Sequence, residues 1–234
     1  MSAGMLFAHA TARKDARPAK PTDQQAGGWT LEDFAQEQIQ GLVRQVFFSN
    51  AERAVRQVVF SAVEPETDVR NLCRQVAEAL AFETADTVAV AGEYPEILRD
   101  SDADQEDMAA RVPRDDSPFL RQDGTRVRGN LWMVPAAKKN AERFTTVELH
   151  SYLCAMRREF KYSIVAGPPA RESNQATAMA RFADGIILVL TAQRTRRNTA
   201  LKIMEVLETA QARILGTVLS ERVFPIPERI YRRL

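Results

Sequence analysis

Short unbroken apolar runs and apolar stripes recurring every three or four residues follow one another along most of this chain. The first pattern predicts strands and the second helices. The clearest pair is within residues 55–82. Val55, Val58, Val59 and Phe60 predict a buried strand, and after a short loop Val69, Leu72, Cys73, Val76 and Leu80 stripe one face of a helix. Ahead of them Leu31, Phe34, Ala35, Leu42 and Val46 share a helical face that ends at Phe47 and Phe48, with a turn at Ser49 and Asn50. Residues 87–91 and 130–134 predict two further strands. Thr145 and Glu148 have the spacing of a capping box, opening a helix through Phe160 with Leu149, Tyr152, Leu153, Met156 and Phe160 on its buried face. Apolar strands at 162–166, 185–190 and 214–219 then alternate with helices, a short one at 176–182 and one striped by Ala200, Ile203, Met204 and Leu207.

Strands separated by helices specify an α/β fold, a mostly parallel sheet with helices on both faces. Residues 1–28 show no sustained period and close on Gly27 and Gly28, so a flexible N-terminal tail is expected ahead of one domain over 29–234. Residues 96–128 are polar, with Asp100, Asp102, Asp104, Glu106, Asp107, Asp115 and Asp116 close together. They lack the ordered spacing of a calcium loop, and a solvated, mobile surface is expected. Gly167, Pro168 and Pro169 drive the chain out of the sheet at its carboxyl edge, where ligands bind in open α/β folds. The segment from Phe224 to Leu234 is broken by prolines and cannot extend the sheet.

Charge changes this picture little, since 32 basic against 31 acidic residues leave no global field for nucleic acid. Cys73 and Cys154 both read as small core residues of helical stripes in a reducing compartment, and with only His9 and His150 beside them no metal cluster is expected. There is neither an apolar run near the roughly 18 residues of a membrane span nor a signal-peptide hydrophobic region. A cytoplasmic protein is expected, with any inner-membrane association coming through a partner.

The strand-loop-helix of 55–82 is where a phosphate-binding P-loop belongs. That loop reads G-x-x-x-x-G-K-[ST], its backbone amides cradling phosphate, its lysine neutralising charge and its hydroxyl holding magnesium. The aligned stretch here is Ala62, Val63, Glu64, Pro65, Glu66, Thr67, Asp68 and Val69. Asp68 at the lysine position repels phosphate, and Val69 has no oxygen for magnesium. An ordinary strand-loop-helix with no phosphate-binding ancestry fits the same residues.

The order of segments resembles the cytoplasmic kinase domain of the bacterial tyrosine kinases that control capsule and exopolysaccharide production, within the MinD/ParA-like P-loop ATPases. The resemblance covers about residues 30–234 and is carried by FKYSIVAGPPA at 160–170, ADGIILVLTAQRTRR at 183–197 and ILGTVLSERVFPIPERIYRRL at 214–234. It implies a P-loop NTPase architecture and places the family's acidic motif after the second strand on Ala91, Gly92 and Glu93, of which only Glu93 is a carboxylate. The Walker B aspartate falls on Ala166, and the base-reading side of a nucleotide site on Ser220 and Arg222. The family's oligomer-forming Glu-x-x-Arg-x-x-Arg falls on Glu37, Gln40 and Val43, without its arginines. Tyr231 stands alone where the family has a tyrosine cluster and is expected to pack.

Losing the lysine, the magnesium ligand and both acidic motifs removes the charge neutralisation that phosphoryl transfer needs. The expectation is therefore a pseudoenzyme without catalytic residues, cofactor or metal. It would be a protein-binding regulatory component of exopolysaccharide or capsule biosynthesis and export, with a membrane chain-length regulator or an active paralogue as partner. One alternative is an active ATP-dependent tyrosine autokinase or ATPase using Glu93 and an arginine such as Arg70 or Arg74. Another is a ParA-like DNA-associated protein using Arg194, Arg196 and Arg197 with Arg222, Arg229, Arg232 and Arg233. Nucleotide binding without hydrolysis is a further one.

Overall fold

A computed structural model describes residues 31–49, 53–92, 120–135 and 145–221. Helix α1 (Leu31–Val43) runs on as a π-helical turn over Arg44–Phe48. Then follow β1 (Gln57–Ala62), α2 (Val69–Glu83), β2 (Val88–Ala91), a short α3 (Leu120–Asp123), β3 (Thr125–Arg128), β4 (Leu131–Val134), α4 (Thr146–Glu159), β5 (Tyr162–Ala166), α5 (Asn174–Phe182), β6 (Gly185–Thr191), α6 (Arg197–Thr209) and β7 (Ile214–Ser220). The strands form one sheet in the order β3-β4-β2-β5-β1-β6-β7, parallel throughout except for the β3–β4 pair.

The unbroken apolar strands are explained by helices on both faces. Successive residues of a strand point to opposite sides, and in β1 Val58 and Phe60 enter one core while Val59 enters the other. The first core is closed by Leu42, Val43 and Val46 from α1 and its π-turn, with Leu72, Val76 and Leu80 from α2. The second is closed by Leu149, Leu153 and Met156 of α4, Met179 of α5, and Ile203 and Leu207 of α6. Phe47 and Phe48 meet the Tyr162 ring edge-on, with centroids 5.8 and 6.1 Å away. The capping box at the start of α4 is present, Thr145 and Glu148 each accepting the other's backbone N–H.

The amino edge of the sheet is fastened by Asp184. Its carboxylate accepts the backbone N–H groups of Arg56 and Gln57, both at 2.8 Å, and pairs with Arg157 at 3.1 Å. Gln57, buried beside it, donates its side-chain amide to the Leu153 carbonyl at 3.0 Å. β1 and β6 are thus tied together where they enter the sheet.

Two expectations change. The end of the polar section, 120–128, is not a featureless surface: it carries α3 and the edge strand β3, whose four residues are all exposed. The Glu159 carboxylate holds the start of α3, accepting the backbone N–H groups of Leu120 and Arg121 at 2.7 and 2.8 Å. Cys73 is a core residue as expected, but Cys154 is only half-buried, on a flank of α4 beside His150. The tail at 1–28, the acidic cluster from Asp100 to Asp116 and the segment from Phe224 to Leu234 lie outside the described residues. Among the described residues no helix is long and apolar enough to cross a membrane.

Candidate functional site

The sheet order decides where a ligand would sit. The chain leaves β1 toward α2 on one face, whereas β5 and β6, on either side of β1, continue into α5 and α6 on the other. Crevices open where neighbouring strands send their loops to opposite faces. The loop at 62–69 therefore stands between two such crevices at the carboxyl edge.

Its own backbone and side chains bridge both. Toward β5, Ala170 N–H donates to Ala62 O at 2.8 Å, Ser61 Oγ donates to Pro168 O at 2.6 Å, and the Arg171 guanidinium meets the Glu64 carboxylate at 3.1 Å. Toward β6, Val63 N–H donates to Val189 O at 3.0 Å, and the Thr67 and Thr191 hydroxyls share a short hydrogen bond. The Glu64 side chain is 13% exposed, so its carboxylate is set into the crevice rather than pointing to bulk water.

At the head of α2, Asp68 is the N-cap, its side chain accepting Arg70 N–H at 2.9 Å, with the Arg70 side chain 3.5 Å away. A helix N-terminus offers unpaired amides and a positive dipole end to an anion. Here the chain supplies that anion itself. Val69, at the magnesium-ligand position, is buried in the core under α2. A phosphate-cradling nest alternates right- and left-handed backbone conformations, and no residue of 62–69 has a positive φ. Glu64, Glu66 and Asp68 put three carboxylates and no cation into the loop.

The other sequence-derived positions divide into two groups. Ala166, at the end of β5, lies in register with Phe60 next to the loop and presents no carboxylate. Ser220 is buried at the end of β7, where its hydroxyl donates to Leu190 O at 3.3 Å. Glu93 and Arg222 lie outside the described residues. The structure adds Arg171 and Thr191, which sequence reasoning missed. Arg171 directly follows the double-proline loop, which was the available signal. Arg194, Arg196 and Arg197 are exposed around the start of α6, and no ion pair joins them to a carboxylate among the described residues. Nor do those residues gather three or more His, Cys, Asp or Glu side chains in a metal-holding group.

No protein-family model and no curated protein matches the sequence. The fold is shared with solved structures. The chimerical protein CapA2B2 has a TM-score of 0.63 at 16% identity, covering 80% of this chain and 85% of that one. The kinase domain of the Escherichia coli tyrosine kinase Etk has a TM-score of 0.65 at 15% identity, covering 83% and 79%. The MinC:MinD cell division protein complex of Aquifex aeolicus has a TM-score of 0.53 at 15% identity, covering 72% and 69%. The architecture is thus that of the P-loop NTPases, common to bacterial tyrosine kinase domains and MinD-type proteins.

Proposed function

We propose that this chain is a catalytically silent relative of the tyrosine kinase and MinD-like ATPase domains whose fold it shares, retained for binding other proteins. The observation that carries this reading is the Asp68 carboxylate capping α2 where a P-loop would hold phosphate. Phosphoryl transfer works by positioning and charge neutralisation. A loop with three carboxylates, a buried valine at the metal position and alanine at the Walker B position supplies neither.

The partner we assign is a membrane polysaccharide chain-length regulator or an active paralogue, in exopolysaccharide or capsule biosynthesis. Support comes from the fold shared with Etk and CapA2B2, and from the MinC:MinD complex, in which a protein of this architecture is bound to another protein. Calorimetric titration of the full chain with Mg-ATP and Mg-ADP tests the reading. No heat of binding is expected, and binding at micromolar concentration would overturn it.

A second reading rests on Arg194, Arg196 and Arg197. Three exposed arginines around a helix start are opposed by the helix dipole, and a ParA-like contact with DNA would supply the missing anions. Retention on DNA that falls steeply as salt rises would favour this reading. Passage through a DNA column at low salt would remove it.

A further inference from the structure

We propose that His150 and Cys154 form a two-ligand site for a thiophilic metal ion, with zinc as the reference, on the flank of α4. Four residues apart on a helix, side chains stand one above the other. Here they bring the Cys154 sulfur 3.6 Å from His150 Nε2 and 4.0 Å from Nδ1.

Zinc binds sulfur at about 2.3 Å and imidazole nitrogen at about 2.05 Å, so a tetrahedral angle places the two donor atoms about 3.5 Å apart. The Sγ to Nε2 separation already has that value, and an ion needs little rotamer change to bridge them. The imidazole is also held in place: Phe182 at the end of α5 meets it edge-on with centroids 4.9 Å apart. His150 is exposed and Cys154 half-exposed, which gives the ion a path in.

The chemistry of the donors selects the ion. A thiolate with an imidazole favours zinc and other borderline or soft metals over calcium or magnesium, which take oxygen. Binding turns the Cys154 thiol into a thiolate ligand and releases its proton to solvent, so affinity falls as pH is lowered. Two protein ligands leave two tetrahedral positions for water or for donors from another molecule. Without metal the same contact is a thiol–imidazole hydrogen bond.

The test uses the full chain after chelator treatment, titrated with Zn2+ against a chromophoric zinc indicator. About one zinc ion per chain is expected, with affinity reduced roughly tenfold or more by either Cys154→Ser or His150→Ala and unchanged by His9→Ala. Cobalt(II) in place of zinc should produce a thiolate-to-metal charge-transfer band that Cys154→Ser abolishes. On the unsubstituted chain, zinc should slow alkylation of Cys154 several-fold, read by peptide mass. No bound zinc, affinity untouched by both substitutions, or an alkylation rate indifferent to zinc would each overturn the proposal.

Discussion

The Asp68 carboxylate accepts the backbone N–H of Arg70 at 2.9 Å, which makes the residue at the P-loop lysine position a stabiliser of its own helix. Replacing an N-cap aspartate by alanine costs about 1 kcal/mol, and asparagine retains most of the effect. Asp68→Ala is therefore expected to lower unfolding free energy by about 1 kcal/mol, with Asp68→Asn close to the original chain. Asp68→Lys adds a cation at the positive dipole end and should cost a further 0.3–1 kcal/mol or so. Urea denaturation reads all three. A lysine variant as stable as the original would show that the cap contributes nothing.

Asp184 offers a larger effect at the opposite edge of the sheet. It accepts two backbone amides and pairs with Arg157, and leaving a partly buried donor without its acceptor costs about 1–3 kcal/mol. Asp184→Ala should lower stability by about 2 kcal/mol or more. Asp184→Asn, which keeps an accepting oxygen, should lose less. The denaturant midpoint should shift with an unchanged slope, and equal losses for the two variants would count against the amide contacts as the cause.

Two glycines should respond in opposite directions to the same substitution. Gly41 lies in α1 with nothing within 4 Å of an added Cβ, and alanine is favoured over glycine in a helix by up to about 1 kcal/mol. At Gly185, which opens β6, an added Cβ would stand 2.5 Å from Leu215 Cγ and 2.7 Å from the Arg213 carbonyl. Gly41→Ala is expected to raise the melting temperature. Gly185→Ala is expected to cost about 1–3 kcal/mol or more through overpacking, and thermal unfolding of the two variants side by side checks the contrast.

The core sets an alkaline limit. Burial raises the Cys73 thiol, with the Asp68 charge a lesser cause, and burial alone raises the Tyr152 phenol. Desolvation also raises Tyr162, reinforced by Asp86 and opposed by Arg56. Over the interval between unfolded and folded pKa the folded chain holds more protons, so stability falls as pH rises. It is complete below about pH 8.5, where an unfolded cysteine begins to ionise, and declines further beyond about pH 10 for the tyrosines. Melting temperature measured across this range should fall in that order. Cys73→Ala should delay the onset, and an onset unmoved by it would mean that Cys73 does not contribute.

Most of the fold was legible because buried parallel strands and amphipathic helices announce themselves by period. β3 was not, since Thr125, Arg126, Val127 and Arg128 are all exposed and only pairing with β4 makes them a strand. Cys154 was misplaced for a related reason. Tyr152, Leu153 and Met156 already fill the buried stripe of α4, which leaves position 154 toward its flank. At the candidate site, the identities of Asp68, Val69 and Ala166 could be read directly. The meeting of Arg171 with Glu64, 107 residues apart, depends on the crossing of β1 by the β5–β6 connection and leaves no local mark.

The ties from Ala170 to Ala62 and from Arg171 to Glu64 join the double-proline loop to the start of α2 as a single lever. A force or contact applied at Pro168–Arg171 is passed along the short Ala62–Asp68 arm to the helix that roofs one whole core. An occupied P-loop transmits through phosphate and metal, parts that come and go with each turnover. Here the linkage is made of the chain's own covalent framework and is permanently engaged.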